Sequence, residues 1–153
     1  MRTRATVLRQ MGSPAPFADS HPLSTVELEL DPPGPGELLV EVKAAGLCHS
    51  DLSVITGKRP RVMPMAIGHE AAGIVVETGE GTSAFKAGDR VVLAFVPTCG
   101  ECEFCMAGRP ALCEPGAAAN GAGALLGGHL RLHEEGGEVV HHHLGVSAFS
   151  DHI

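Results

Sequence analysis

Four of the five cysteines in this sequence lie in one short stretch, a pattern typical of a metal site. Cys99, Cys102 and Cys105 are separated by two residues each, and Cys113 follows after a longer gap. Such spacers let successive sulfur atoms turn toward one point, and Gly100 supplies the backbone freedom for that turn. Four thiolates complete the tetrahedral shell of zinc and leave no open position. The stretch therefore predicts a structural zinc loop from Cys99 to Cys113, with a set of buried free thiols as the alternative.

The N-terminal residues favour zinc over disulfide bonds for these cysteines. Residues 1–8 alternate charged and apolar side chains, which is typical of a strand and unlike the apolar core of a signal peptide. We therefore expect a cytoplasmic protein, in whose reducing surroundings structural disulfides do not form. No run approaches the roughly 18 apolar residues of a spanning helix, so we expect no membrane segment.

Composition narrows the class of partner. The formal net charge of −7 argues against a nucleic acid or an anionic membrane surface as the main partner. The 153 residues suit one domain. Aromatic residues make up only 3% of the chain, with neither Trp nor Tyr, so we expect Val, Leu, Ile and Ala to build the core.

Alternation of apolar and polar residues predicts several short strands. Pro- and Gly-rich turns separate them, which favours a small β-barrel or sandwich over βαβ units. A short helix is predicted after Gly46, with Ser50 or Asp51 capping its start and Gly57 ending it. The predicted strands cover residues 2–8, 26–30, 38–45, 71–77 and 89–95, with a hairpin over 129–142 and a final strand over 148–153.

Three stretches are predicted not to carry a site. Residues 11–22 hold three prolines and are interpreted as a loop. Residues 115–128 are rich in Gly and Ala but lack the full glycine spacing of a nucleotide loop, so a flexible loop is predicted. The run His141, His142 and His143 is predicted to be a solvated strand face, because alternating side-chain directions prevent all three from meeting one ion.

Cys48 and His69 form a second constellation. A Cys and a His on separate loops are a common core of a catalytic zinc site, which keeps a coordination position open. Taken alone, however, a buried Cys is usually a small apolar residue, and a single His is usually structural.

Family resemblance decides between these interpretations. Three motifs and the four-cysteine loop occur in the order and spacing of zinc-dependent medium-chain alcohol dehydrogenases. The motifs are Gly46–Asp51 (GLCHSD), Gly68–Gly73 (GHEAAG) and Gly88–Val91 (GDRV). Residues 143–150 also resemble that family, especially its alcohol and thiol-linked formaldehyde dehydrogenase branches. The resemblance implies a mainly β domain with short helices, a GroES-like β-barrel with a zinc-binding loop, over residues 1–153.

The resemblance also implies roles around a catalytic zinc ion. Cys48 and His69 would be ligands, and Glu70 would lie beside the metal and approach it during ligand exchange. Asp51 would accept a hydrogen bond that orients His69, a partner that metal-bound imidazoles usually have.

Substrate and cofactor roles follow in the same way. Ser50 would take the proton of the alcohol, His49 would lie near the pyrophosphate of the cofactor, and Phe95 would line the substrate pocket. Helix capping is the plain alternative for Ser50 and Asp51, and both roles can hold together.

The implied function is zinc-polarised interconversion of an alcohol and an aldehyde, with hydride transfer to NAD or NADP. Two parts of the family pattern have no counterpart here: a third protein ligand to the catalytic zinc, and the Rossmann domain that binds the nicotinamide cofactor. Ser53 stands where some relatives carry a proton-relay His. We therefore expect a catalytic domain separated from its cofactor domain, inactive alone and able to join a homo-oligomer.

Two other classes remain as alternatives. A non-enzymatic zinc-binding module, or an inactive fragment, would use the cysteine loop only for folding or association. A zinc-ribbon nucleic-acid binder would need a basic face, and the Arg and Lys residues here are scattered.

Overall fold

The alternating apolar residues of the first two strands line the inside of a closed barrel. The computed structural model describes residues 1–153. Its strands are β1 (Arg2–Leu8), β2 (Leu23–Leu30), β3 (Leu38–Gly46), β4 (Met65–Ala66), β5 (Glu70–Thr78), β6 (Arg90–Leu93), β7 (Leu132–His133) and β8 (Val139–His142). Its helices are α1 (Phe17–Ser20), α2 (His49–Ile55), α3 (Glu103–Met106) and α4 (Glu114–Ala122), with a 3₁₀ turn at Pro110–Leu112.

Two sheets make up the fold. Strands β1, β2, β7, β8 and β4 close into a five-stranded barrel, in which only the β4–β8 pair is parallel. Strands β3, β5 and β6 form a separate antiparallel sheet. The prediction of a mainly β fold with a barrel is confirmed.

Small aliphatic side chains fill the barrel, as the scarcity of aromatic residues predicts. The barrel cluster consists of Ala5, Val7, Leu28, Leu30, Leu39, Ala66, Leu132 and Val140. A second cluster attaches α2 to the barrel, because Val54 and Ile55 of the helix pack with Leu8, Met65 and Ile67. The helix that follows Cys48 is thereby fixed to the end of β4.

The chain differs from the predicted elements at several places. The 11–22 loop includes the four-residue helix α1, and β6 ends at Leu93 rather than at residue 95. The predicted strand over residues 148–153 is wrong. Only two isolated bridges form there, Ala5 with Ser150 and Glu41 with His152.

The flexible loop predicted over residues 115–128 is also wrong, because α4 occupies most of it. Sγ of Cys113 accepts a hydrogen bond from the backbone N–H of Gly116 at 3.3 Å, Pro115 stands in the first turn, and Gly123 ends the helix with φ of 66°. These are start and stop signals of a helix. The start of α4 is therefore set by a cysteine, which ordinary capping preferences do not include.

The solvated face predicted for His141, His142 and His143 is wrong for two of the three. His142 is 5% exposed and His143 is completely buried. β8 forms part of the barrel wall between β7 and β4, so one of its faces is interior. His143 follows the end of β8, where the chain turns and the strand alternation no longer applies.

None of the helices is both long enough and apolar enough to cross a lipid bilayer.

Two glycines of α4 are expected to respond in opposite ways to alanine. A Cβ at Gly116 would overlap the backbone carbonyl of Pro97, whereas nothing lies within 4 Å of a Cβ at Gly121. We expect Gly116→Ala to lower the free energy of unfolding by about 2 kcal/mol through overpacking. Gly121→Ala should raise it by roughly 0.5–1 kcal/mol, since alanine favours the helix. Urea denaturation of the two variants measures both changes, and equal effects would contradict the close helix–loop contact.

Candidate metal centres

The four cysteines of the loop converge on one point. The Sγ atoms of Cys99, Cys102, Cys105 and Cys113 all lie within 4.8 Å of one another. In a tetrahedral zinc site with bonds of about 2.3 Å, neighbouring sulfur atoms are about 3.8 Å apart. All five cysteines of the chain are free thiols, so no disulfide competes for these sulfurs. The donor set fits a closed, structural zinc site.

Backbone amides point at the sulfur atoms of this loop. Cys113 Sγ accepts from the N–H groups of Cys99 and Gly116, and Cys99 Sγ accepts from the N–H of Cys102, all at 3.3 Å. Hydrogen bonds of this kind stabilise a thiolate more than a thiol. The loop is therefore arranged to hold negative sulfur.

The acid–base properties of the loop favour a bound cation. The backbone N–H of Cys105 lowers the pKa of Cys102 to about 7, while burial raises the pKa of Cys105 to about 12. The two values belong to one coupled group, in which a first thiolate opposes the ionisation of the next. A bound dication offsets the repulsion between the thiolates, so metal binding here releases protons from the cysteines.

The second constellation also comes together. One ligand atom each from Cys48, His69 and Glu70 falls within a 4.8 Å cluster. His69 is buried, Cys48 is half-buried and Glu70 is exposed, with its Oε1 atom 3.9 Å from Nε2 of His69. Phe95 stacks edge-on to the His69 ring at 5.8 Å between centroids. The three donors fit a partly open zinc shell, which is the form that catalytic sites take.

Asp51 orients the imidazole of His69. Its Oδ1 atom lies 3.0 Å from Nδ1 of His69, which leaves Nε2 as the lone-pair atom that faces Cys48 and Glu70. Burial raises the pKa of Asp51, but hydrogen bonds and charge from His143 and His69 outweigh it, so the pKa lies below its ordinary value. Asp51 is therefore a buried carboxylate rather than a neutral acid.

The start of α2 combines capping with the site. Cys48 is the N-cap residue, and its backbone N–H donates to Oδ2 of Asp51 in the first turn at 3.3 Å. The N-cap is therefore Cys48 rather than the predicted Ser50 or Asp51, although Asp51 contributes the returning bond of the capping box. Ser50 places Oγ 3.0 Å from Sγ of Cys48. The predicted stop holds, because Gly57 follows the helix with φ of 77°.

His49 does not join the cluster. It is exposed on the first turn of α2, with Ser53 Oγ donating to its backbone carbonyl at 3.1 Å.

Gly68 positions His69 on the barrel. Its φ of 92° lies in the region that favours glycine, and a Cβ would meet the backbone nitrogen of Phe149 at 2.6 Å. Only a glycine lets the chain turn here while residues 67 and 68 bond to 148 and 149 through their backbones. The first glycine of the GHEAAG motif therefore directs His69 toward Cys48.

Sequence reasoning missed one residue of this cluster, His143. Its Nδ1 atom lies 3.1 Å from Oδ1 of Asp51, and its ring centroid is 5.3 Å from that of His69. The histidine run was the available signal. Its meaning depends on a contact with a residue far away in the chain.

Comparison with known proteins identifies the family of this chain. The sequence profile of the "Alcohol dehydrogenase GroES-like domain" family matches residues 34–148. This chain belongs to that family. Its recognition from the sequence, as the GroES-like domain of zinc-dependent medium-chain alcohol dehydrogenases, is confirmed.

Individual relatives agree with the family. An S-(hydroxymethyl)glutathione dehydrogenase of Escherichia coli is 39% identical to this GroES-like domain over 153 residues, which are 99% of the chain and 39% of the relative. An alcohol dehydrogenase zinc-binding domain protein from Burkholderia ambifaria has a TM-score of 0.86 at 35% identity, over 99% of this chain and 39% of that one. Benzyl alcohol dehydrogenase from Acinetobacter calcoaceticus has a TM-score of 0.83 at 30% identity, over 99% and 38%. The GroES-like domain therefore spans about 39% of the length of these relatives.

Proposed function

We propose that residues 1–153 form the catalytic domain of a zinc-dependent alcohol dehydrogenase with two zinc sites. The observation that carries the proposal is the convergence of Cys48, His69 and Glu70 beside a separate tetrathiolate loop. One site is closed by four thiolates and the other leaves positions open. This division matches the distinction between structural and catalytic zinc.

The relatives support an alcohol substrate and a nicotinamide cofactor. The two dehydrogenases named above are named for substrates that carry a CH₂OH group. We infer a primary alcohol, or the matching aldehyde, as substrate for the enzyme that contains this domain. NAD or NADP would be the hydride acceptor, held by a Rossmann domain that these residues do not include, as the share of the relatives they span suggests.

Each side chain at the open site has a defined task in this proposal. Zinc held by Cys48 and His69 would supply a Lewis acid that favours the ionised form of an alcohol. Asp51 fixes the His69 tautomer by accepting from Nδ1. Glu70 reaches toward the same ligands from the exposed side, where it can approach during ligand exchange. The hydroxyl of Ser50, 3.0 Å from Cys48 Sγ, is near enough to accept the alcohol proton.

The proposal also includes a cofactor contact for His49. His49 is exposed at the start of α2, where its side chain is free to contact a pyrophosphate. The cytoplasmic location and a homo-oligomer stay predictions.

Zinc content per chain tests the proposal. We expect about two zinc ions per purified chain after dialysis, and about one in Cys48→Ser, because a hydroxyl is a poor zinc ligand. Ser53→Ala is the matched control, since Ser53 lies one turn further along the same helix and its hydroxyl contacts only the carbonyl and the ring of His49. One zinc ion in the unaltered chain would contradict the catalytic site and favour a structural zinc module.

A further inference from the structure

His143 is the most enclosed ionisable side chain beside the open site. It has no solvent exposure, and neither ring nitrogen has a hydrogen-bond partner of full geometry. Burying an imidazole in this way is unfavourable unless a neighbouring group compensates. The neighbour is Asp51, whose Oδ1 lies 3.1 Å from Nδ1 of His143.

A tight turn holds His143 in this place. The N–H of His143 donates to Oγ of Ser147 at 3.2 Å, and the N–H groups of Val146 and Ser147 donate to the His143 carbonyl. Leu144 and Ser147 have φ of 54° and 53°, in the left-handed region that residues other than glycine rarely adopt. Such backbone strain persists only where the surrounding contacts determine it. The position of the His143 backbone is therefore fixed.

Asp51 joins His143 to both candidate ligands. Its Oδ1 lies between the rings of His69 and His143, at 3.0 and 3.1 Å, and its Oδ2 accepts from the N–H of Cys48. A carboxylate held on both oxygens cannot rotate freely. Whatever fixes Asp51 also fixes the ring of His69 and the backbone of Cys48.

The distances favour hydrogen bonding over a shared metal ion for this trio. Two ligands of one tetrahedral zinc ion, at about 2.0–2.1 Å each, would be about 3.3 Å apart. The Oδ1 atom of Asp51 is closer than that to both imidazoles, and Nδ1 of His69 already bonds to it.

We propose that His143 is a positioning residue of the catalytic zinc site, which acts through the close contact of its Nδ1 atom with Oδ1 of Asp51. The carboxylate then presents a fixed acceptor to His69, and Nε2 of His69 is held toward the metal. This inference rests on the proposed function, since it needs metal at Cys48 and His69.

Cobalt titration of the whole chain tests it, with cobalt alone as the probe. We expect His143→Phe to weaken cobalt binding at the Cys48–His69 site by about 10-fold or more, the usual effect of losing such a partner. His143→Asn should stay within about 3-fold of the unaltered chain, because its amide N–H can replace Nδ1–H. The thiolate–cobalt absorption of the four-cysteine loop should be the same in all three, which shows that the fold is intact. His143→Leu replaces the Phe variant if that absorption is lost.

The outcomes of the titration distinguish failure of this inference from failure of the proposed function. Two cobalt ions with unchanged affinity in His143→Phe would overturn the positioning role. Equal weakening in the Phe and Asn variants would overturn it in favour of packing. Binding of three cobalt ions by the unaltered chain and of two by His143→Phe would overturn it in favour of direct ligation by His143. A single cobalt ion in the unaltered chain would overturn the proposed function itself, and this inference with it.

Discussion

Replacing Cys113 by alanine is expected to unfold the zinc loop and to remove one zinc ion per chain. We expect the free energy of unfolding to fall by about 4 kcal/mol or more, which corresponds to a fall in Tm of roughly 10 °C or more. Little else can hold the loop, because Cys113 is its only buried residue while Met106 and Leu112 are 74% and 46% exposed. In such a segment, the free energy of metal binding supplies the free energy of folding.

The substitution of Cys113 also removes a hydrogen bond to helix α4. Its Sγ accepts from the N–H of Gly116 at the start of α4, so the helix should fray together with the loop. Calorimetry and hydrogen exchange over residues 99–122 measure both effects, and a chelator should reproduce them in the unaltered chain. Cys48→Ser is the matched control, since it should lose a zinc ion from the other site and leave the hydrogen-exchange protection of residues 99–122 unchanged. Unchanged protection of α4 in Cys113→Ala would contradict the dual role.

Acidification is expected to destabilise the fold through His142. Burial lowers the pKa of His142 to about 4 from an ordinary value of 6.5. Glu37 opposes this shift, and the positive charges that add to it belong to His141, Arg131 and His133. Below pH 6.5 the imidazole of His142 binds a proton in the unfolded chain but stays neutral in the folded chain. The free energy of unfolding that this histidine contributes is therefore fully present above pH 6.5 and is lost as the pH falls toward 4. Between pH 7.5 and 5 this loss amounts to about 2 kcal/mol.

The hydrogen bonds of His142 explain why it stays neutral. Nε2 accepts from the backbone N–H of Arg131 at 3.1 Å, so the ring proton is on Nδ1, 3.4 Å from Oγ of Ser147. His142→Gln keeps an acceptor for Arg131 but cannot titrate. Urea denaturation at pH 7.5 and 5 should therefore show a fall larger by about 2 kcal/mol in the unaltered chain than in the Gln variant. Both chains carry the same cysteines, so loss of zinc in acid cancels in the comparison, and equal falls would contradict the neutral histidine.

Local patterns predicted the parts of this domain that depend on neighbours in the chain. The zinc loop could be predicted because its four cysteines lie within fifteen residues of one another, from Cys99 to Cys113. The strands could be predicted because apolar and polar residues alternate along β1 and β2, and the buried positions follow that alternation. The GHEAAG and GLCHSD motifs, through resemblance, predicted that Cys48 and His69 would meet, and the ligand atoms do lie together.

Helix α4 depended on a contact that composition does not reveal. Its Gly- and Ala-rich sequence has no apolar face to predict a helix. A sulfur atom held by the folded loop caps its first turn, and Gly116 lets that turn approach Pro97. The physical reason is that helical stability in proteins comes mainly from tertiary contacts rather than from propensity.

The histidine run shows most clearly which features the sequence predicts and which depend on the tertiary structure. From strand alternation, the sequence predicted that His141, His142 and His143 could not all share one ion, but it also predicted a solvated face. Only the tertiary structure decided that His142 is inside the barrel and that His143 faces Asp51. Barrel closure and the turn after β8 create those environments, and both depend on residues that are distant in the chain and adjacent only once it has folded.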